Sequence, residues 1–240
     1  MRPDGRESAQ LRPLTFELSP VRHPQGSALI RMGETCVLCT AIVQESVPRW
    51  RQNSGKGWIT AEYAMLPGAT QTRVSRDHVS GGRAQEIRRL IGRSLRRAVN
   101  LDLLGERAIW VDCDVLQADG GTRTAAINGG YIAVALAIQH LANAGLISME
   151  TLLPPIAALS VGVVADEACM DLCFQEDSSA QVDMNVVMDA VGGFIEVQGT
   201  AEKDPISRAT LDTLLDLAAA GVQTVARIQR EALSCAGITI

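Results

Sequence analysis

The sequence is short of aromatic side chains: Phe, Trp and Tyr supply 3% of its 240 residues. A core must therefore be built from Leu, Ile, Val and Ala. Apolar residues make up 47% of the chain, enough for a substantial core, so disorder is not expected; the length suits one large domain or two small ones, and a single domain over residues 1–240 is the expectation. Histidine is scarce as well. His23, His78 and His140 are scattered, and none sits in a local Ser–His–Asp or Cys–His pattern, so covalent nucleophilic catalysis is not expected. The nucleotide-triphosphate loop G-x-x-x-x-G-K-[ST] is missing. A transmembrane run is missing too: the Ala-rich stretch at 131–147 carries Gln139, His140 and Asn143. The first twenty residues are charged and broken by Pro13 and Pro20, unlike a secretory leader. A cytoplasmic protein with no membrane partner is the expectation.

Six cysteines are present, at 36, 39, 113, 169, 173 and 235. Cys36 and Cys39 form C-x-x-C, but within an apolar, strand-like run where positions i and i+3 face opposite ways. They read as core thiols of a reducing compartment rather than a redox pair. The net charge of −5 is ordinary for an enzyme and gives no hint of nucleic acid, yet the charge is uneven. Residues 73–97 hold eight arginines and no lysine, opposed only by Asp77 and Glu86.

Periodicity gives a mixed order of elements. A short strand is expected over 14–18, and a hairpin over 27–46 turning near Gly33. Residues 48–57 form a loop with three basic residues and Trp50, and 58–69 show no clean period. Over 84–102 Ile87, Leu90, Ile91, Leu95, Ala98 and Leu101 share one helical face, with Arg89, Arg93, Arg96 and Arg97 on the other. A strand follows at 107–119 and an apolar helix at about 124–146. Residues 154–177 form a hairpin turning at 165–167, and strands follow at 183–188 and 194–197. The last helix covers 207–233. The order predicts an α+β domain, with packed helices burying mixed sheets as one unit.

Three constellations carry chemistry. In QADGGTRTAAINGGY, residues 117–131, two glycines relax the turn and leave Thr122, Arg123 and Thr124 at a helix N-terminus. Free N–H groups and the positive end of the helix dipole lie there, and an added arginine helps an anion rather than the helix. Arg83, after Gly81 and Gly82, opens another helix, and its planar fork also suits phosphate oxygens. The second constellation is acidic. Glu176, Asp177 and Asp183 surround an expected turn, where Asp177 and Asp183 can share one Mg²⁺ or Mn²⁺. The third is the exposed arginine face at 89–97, too large for one small anion. It serves either as a surface or subunit salt network or as a track for a polyphosphate backbone. Together these suggest chemistry on a nucleic-acid end, without distinguishing hydrolysis, transfer or phosphorolysis.

The same residues carry a resemblance. MRPDGR at the start, LCTA at 38–41, GWITAEYAMLPGAT at 57–70, EIRRLIGRSLR at 86–96, DCDVLQADGGTRTAAI at 112–127, EDSSAQVDMNVVM at 176–188 and IEVQGTAE at 195–202 together resemble bacterial ribonuclease PH. The resemblance implies the fold shared with polynucleotide phosphorylase and the exosome ring, related to the second domain of ribosomal protein S5. It implies phosphorolysis, in which inorganic phosphate trims the 3′ end of precursor tRNA and releases nucleoside diphosphates. The reverse reaction adds nucleotides, and rRNA is a further substrate class. It also implies a homohexameric ring, a trimer of dimers. Carried over by motif, Gly121, Thr122, Arg123 and Arg83 bind phosphate. Asp177 and Asp183 bind the metal and, with Arg123, form the catalytic group. Arg73 and Arg76 contact RNA, and Arg89 and Arg93 extend that surface. Two departures stand out. The segment RDHVSGGR, 76–83, is about three residues shorter than the family pattern and lacks its lysine, which implies weaker RNA affinity, and the tail SCAGITI is unusually apolar. A metal-dependent hydrolytic 3′ exonuclease and an inactive RNA-binding ring subunit are the competing readings; the second conflicts with the retained Arg123, Asp177 and Asp183.

Overall fold

The computed structural model describes residues 2–75 and 81–240. The strands are β1 (Leu14–Leu18), β2 (Gly26–Met32), β3 (Thr35–Gln44), β4 (Trp58–Met65), β5 (Ala108–Gln117), β6 (Ile156–Val164), β7 (Glu167–Met170), β8 (Val182–Asp189) and β9 (Phe194–Ala201). The helices are α1 (Gly82–Arg96), α2 (Leu101–Leu104), α3 (Thr122–Asn143), α4 (Phe174–Asp177) and α5 (Arg208–Cys235). One sheet has the order β1-β2-β3-β5-β4, antiparallel except for the parallel β4–β5 pair. The other is antiparallel, with the order β7-β6-β8-β9. An α+β architecture is what the order of elements led one to expect.

α3 packs on β2 and β3 of the first sheet and on β6 of the second. Every residue from Thr124 to Ile138 is buried. That is why its sequence has no polar stripe: a helix covered on all sides gains nothing from one. It is long and apolar enough to cross a membrane by length and composition, but it lies inside the protein. Its approach to β2 is close enough that a Cβ on Gly26 would stand 2.0 Å from the Ala133 carbonyl oxygen. One hydrophobic cluster continues through both sheets, α1, α3 and α5. α5 lays Leu214, Ala218, Val222, Val225 and Leu233 into it, and the Ser207 side chain caps its start by accepting from the Thr210 N–H at 3.0 Å.

Several expectations need correction. α1 ends at Arg96 rather than continuing to 102. The Asn100 side chain accepts from the Asp102 and Leu103 N–H groups and starts the separate helix α2, so Leu101 leaves the α1 face. Residues 58–65, which showed no period, form β4; Ile59, Ala61 and Tyr63 point inward there, but Trp58, Ala64 and Met65 blur the alternation. The 165–167 hairpin turn is present, with Ala165 and Asp166 at positive φ, but its second strand stops at Met170 and the chain enters α4. Arg96 does not belong to the free arginine face. Its guanidinium lies 4.3 Å from the Trp58 ring centroid and donates to the Ile59 carbonyl at 2.9 Å, covering part of the outer edge of β4. Five of the six free cysteines are buried, Cys235 being exposed, and Cys39 and Cys113 lie opposite each other on β3 and β5 as core thiols.

Candidate active site

A cavity of about 460 Å³ opens where the start of α1, the β5–α3 link, α4 and β8 meet. Arg83, Gly121, Thr122, Arg123, Asp177 and Asp183 all line it. Residues from four separated stretches of sequence thus face one space.

The β5–α3 link is shaped by two glycines in the left-handed region, Gly120 (φ 72°) and Gly121 (φ 64°). Gly120 is constrained a second time, because a Cβ there would sit 2.7 Å from the Leu172 carbonyl oxygen. This contact brings the start of α3 against the segment leading into α4. Gly121 is the N-cap and has no side chain to occupy the first-turn N–H groups of α3, which stay open to an anion. The Thr122 hydroxyl is within 2.8 Å of the Tyr63 hydroxyl. Among the described residues, Arg123 makes two long contacts from Nη1, at 3.4 Å to Glu86 Oε1 and 3.4 Å to Gln198 Oε1. Its fork is held loosely over the cavity rather than consumed by a tight ion pair. Arg83 stands exposed in the first turn of α1 at the rim.

The two aspartates face these cations. Burial pushes the Asp183 carboxyl up to about 6; Asp177, within hydrogen-bond reach of it, adds to the rise and Arg123 partly offsets it. Two carboxylates this close share a proton or a cation.

The third acidic candidate points elsewhere. Glu176 is 2% exposed and turned away from the cavity. Arg2 grips it through Nε at 2.6 Å and Nη2 at 2.8 Å, and Glu176 also accepts from the Cys173 N–H at 3.0 Å. Burial raises this carboxyl, but the hydrogen bonds from Arg2 and Cys173 win and hold it below the usual range. Arg12 binds both oxygens of the fully buried Asp171, and Arg6 donates to the Asp171 carbonyl at 3.1 Å. α4 is a single turn, and this network from the N-terminal segment anchors it. Sequence reading missed it because the partners lie 159 to 174 residues apart.

The RNA candidates are spread more widely. Arg73 is exposed, adjacent to the cavity-lining Thr72. Arg76, Asp77 and His78 lie outside the described residues, as does most of the shortened 77–82 segment. Arg89 and Arg93 are exposed on α1, well along the helix from Arg83, and border a separate groove with Trp58; Arg93 pairs with Glu196 at 2.8 Å.

Comparison with known proteins gives the family of the chain. Residues 10–138 match the 3′ exoribonuclease family, domain 1, and residues 154–221 match domain 2 of that family. Ribonuclease PH of Moorella thermoacetica is 53% identical over 236 residues, covering 97% of this chain and 94% of that protein. Ribonuclease PH of Bacillus subtilis is 51% identical over 237 residues, covering 97% of each. Among solved structures, rice Rrp46 superposes with a TM-score of 0.77 at 21% identity, covering 97% of this chain and 100% of that one. A chain of the Archaeoglobus fulgidus exosome with RNA bound to the active site gives 0.77 at 20% identity, covering 93% and 91%. These two likenesses establish the fold, and the sequence matches establish the rest: the chain belongs to the ribonuclease PH branch of the 3′ exoribonuclease family.

Proposed function

We infer that the cavity is where this chain, a phosphorolytic 3′ exoribonuclease of the ribonuclease PH type, joins inorganic phosphate to the 3′ end of RNA. The observation that carries this is the facing of two arginines and an open helix start by a carboxylate pair in one space. Phosphate binds between Arg83, Arg123 and the first turn of α3 at Gly121 and Thr122. One of its oxygens attacks the terminal phosphorus in line. The bond from that phosphorus to the preceding 3′ oxygen breaks, the 3′ oxygen takes up a proton, and a nucleoside diphosphate leaves. Asp183 can pass that proton to the leaving oxygen through a water held beside it. The rest is positioning and charge stabilisation by fixed donors.

Mg²⁺ or Mn²⁺ fits Asp177 and Asp183: both offer hard oxygen ligands, and the raised Asp183 carboxyl marks negative charge that a cation would relieve. Among the described residues no third His, Cys, Asp or Glu joins them, so a bound ion would depend on water and substrate oxygens for its remaining ligands. The bound ion would screen the bridging phosphate and steady the leaving oxygen.

Precursor tRNA is the proposed substrate, with rRNA a second, in the cytoplasm. Arg73, Arg76, Arg89 and Arg93 are proposed to contact the RNA body. Homohexamer formation, as a trimer of dimers, is proposed on two supports. The solved relatives include an archaeal exosome core. β9 is also an edge strand with Phe194 and Val197 exposed, a surface that another copy can cover.

The test is shortening of a 3′-tailed RNA with and without inorganic phosphate. Shortening that depends on phosphate and yields nucleoside diphosphates is expected. Monophosphates formed without phosphate would establish the hydrolytic alternative.

A further inference from the structure

Asn185 is 8% exposed and lines the cavity on β8, two residues beyond Asp183 and on the same face of the strand. Its cross-strand neighbours are Ser160 on β6 and Gln198 on β9. Both have partners: the Ser160 hydroxyl oxygen accepts from the Leu172 N–H at 3.1 Å, and Gln198 Oε1 accepts from Arg123. Among the described residues, no protein group hydrogen-bonds the Asn185 amide. The amide itself is not sealed from solvent: it opens to the cavity, where its two donors and one acceptor can meet a ligand. The register also places it, with Asp183 two residues back on the same face of β8 and Gln198, a partner of Arg123, opposite on β9.

We propose that the Asn185 side-chain NH₂ donates a hydrogen bond to a phosphoryl oxygen bound in this cavity, making Asn185 a further catalytic residue of the phosphorolytic reaction. The inference rests on the phosphorolytic reading of the site. The cavity collects anions through Arg83, Arg123 and the start of α3. Beside the Asp177–Asp183 pair a neutral donor contributes a hydrogen bond without adding the repulsion of another carboxylate. The phosphoryl oxygen belongs either to the attacking inorganic phosphate or to the phosphodiester under attack, and kinetics separate the two.

The experiment compares wild type with Asn185→Ala and the isosteric Asn185→Asp. Each is confirmed as folded by thermal melting and assayed over ranges of phosphate, of a short oligoribonucleotide and of Mg²⁺. Asn185→Ala is expected to lower kcat/KM by about 10- to 100-fold, the usual effect of losing one donor to a charged oxygen. Asn185→Asp is expected to be worse, because a carboxylate then faces the oxyanion. A raised KM for phosphate with kcat kept identifies the attacking phosphate as acceptor. A lowered kcat with both KM values kept identifies the phosphodiester as charge builds on it. Wild-type-like kinetics in both variants would overturn the assignment. So would a change confined to the Mg²⁺ requirement, which would put the amide oxygen on the cation instead. Phosphate-independent shortening by the wild type would overturn the phosphorolytic reading itself, a result distinguishable from either.

Discussion

Asp183 holds its proton more tightly in the folded chain than a free aspartate does, with its carboxyl pushed from 3.8 to about 6. The folded state therefore binds more protons than the unfolded state between those two values, and stability falls as pH rises through that window and stays lower above it. Asp183→Asn removes the penalty. In chelator it is expected to raise Tm over wild type at pH 8 and to leave it nearly unchanged at pH 4. Mg²⁺ should raise the wild-type Tm at pH 8 and do so less in the variant. A Tm difference that does not vary with pH would contradict this account of the carboxylate pair. In turnover, Asp177→Asn and Asp183→Asn are each expected to lower the rate and weaken its metal dependence; unchanged titrations against Mg²⁺ in both would leave them as ordinary carboxylates. Arg123→Ala is expected to lose about 100-fold or more in rate, as for removal of one transition-state donor, with little change in Tm. Its two contacts among the described residues are long, so the fold gains little from it. A near-wild-type rate at saturating phosphate would refute the phosphate role.

At the scale of elements, α4 is a turn too short to hold its own position. Arg2 and Glu176 fix it from the side opposite the cavity, with side chains 5% and 1% exposed. Removing one partner leaves the other charged and buried, which costs about 3–5 kcal/mol in such pairs. Arg2→Ala is expected to lower Tm and, where still folded, to raise the Mg²⁺ needed for half-maximal rate, because Asp177 adjoins Glu176. A lowered Tm with an unchanged Mg²⁺ curve would make the network structural only. What could be read from sequence divides along the same line. Gly120–Gly121–Thr122–Arg123 was legible because a glycine turn into an apolar helix is a local signal. The α5 stripe and the β2–β3 hairpin were legible for the same reason. Glu176 was grouped with its acidic neighbours, and its burial depends on an arginine 174 residues away. β4 was missed because small and bulky residues mask its alternation, and the end of α1 because Asn100 caps a new helix rather than continuing the old one. The Asp177–Asp183 pair was legible in spacing and family pattern, whereas the raised Asp183 carboxyl required the fold.

For the whole molecule, the shared core around α3 sets the cavity between two sheets. Arg83 stands at its rim, while Arg89 and Arg93 farther along α1 border a separate groove. A short oligonucleotide needs only the cavity, whereas a long RNA needs surface that one chain offers sparingly. Light scattering is expected to show a hexamer, and a variant that cannot assemble is expected to lose activity on a full tRNA more than on a short oligonucleotide. Equal losses on both would tie assembly to the cavity itself, and a monomer fully active on tRNA would end the argument for a ring. The central claim concerns the fate of inorganic phosphate, and the most direct measurement follows its label. Wild-type protein is incubated with ³²P-phosphate, Mg²⁺ and unlabelled 3′-tailed RNA, and the released nucleotides are separated. Phosphorolysis in this cavity puts the label in the β-phosphate of nucleoside diphosphates, one for each nucleotide removed. Unlabelled nucleoside monophosphates in the same amount would contradict it.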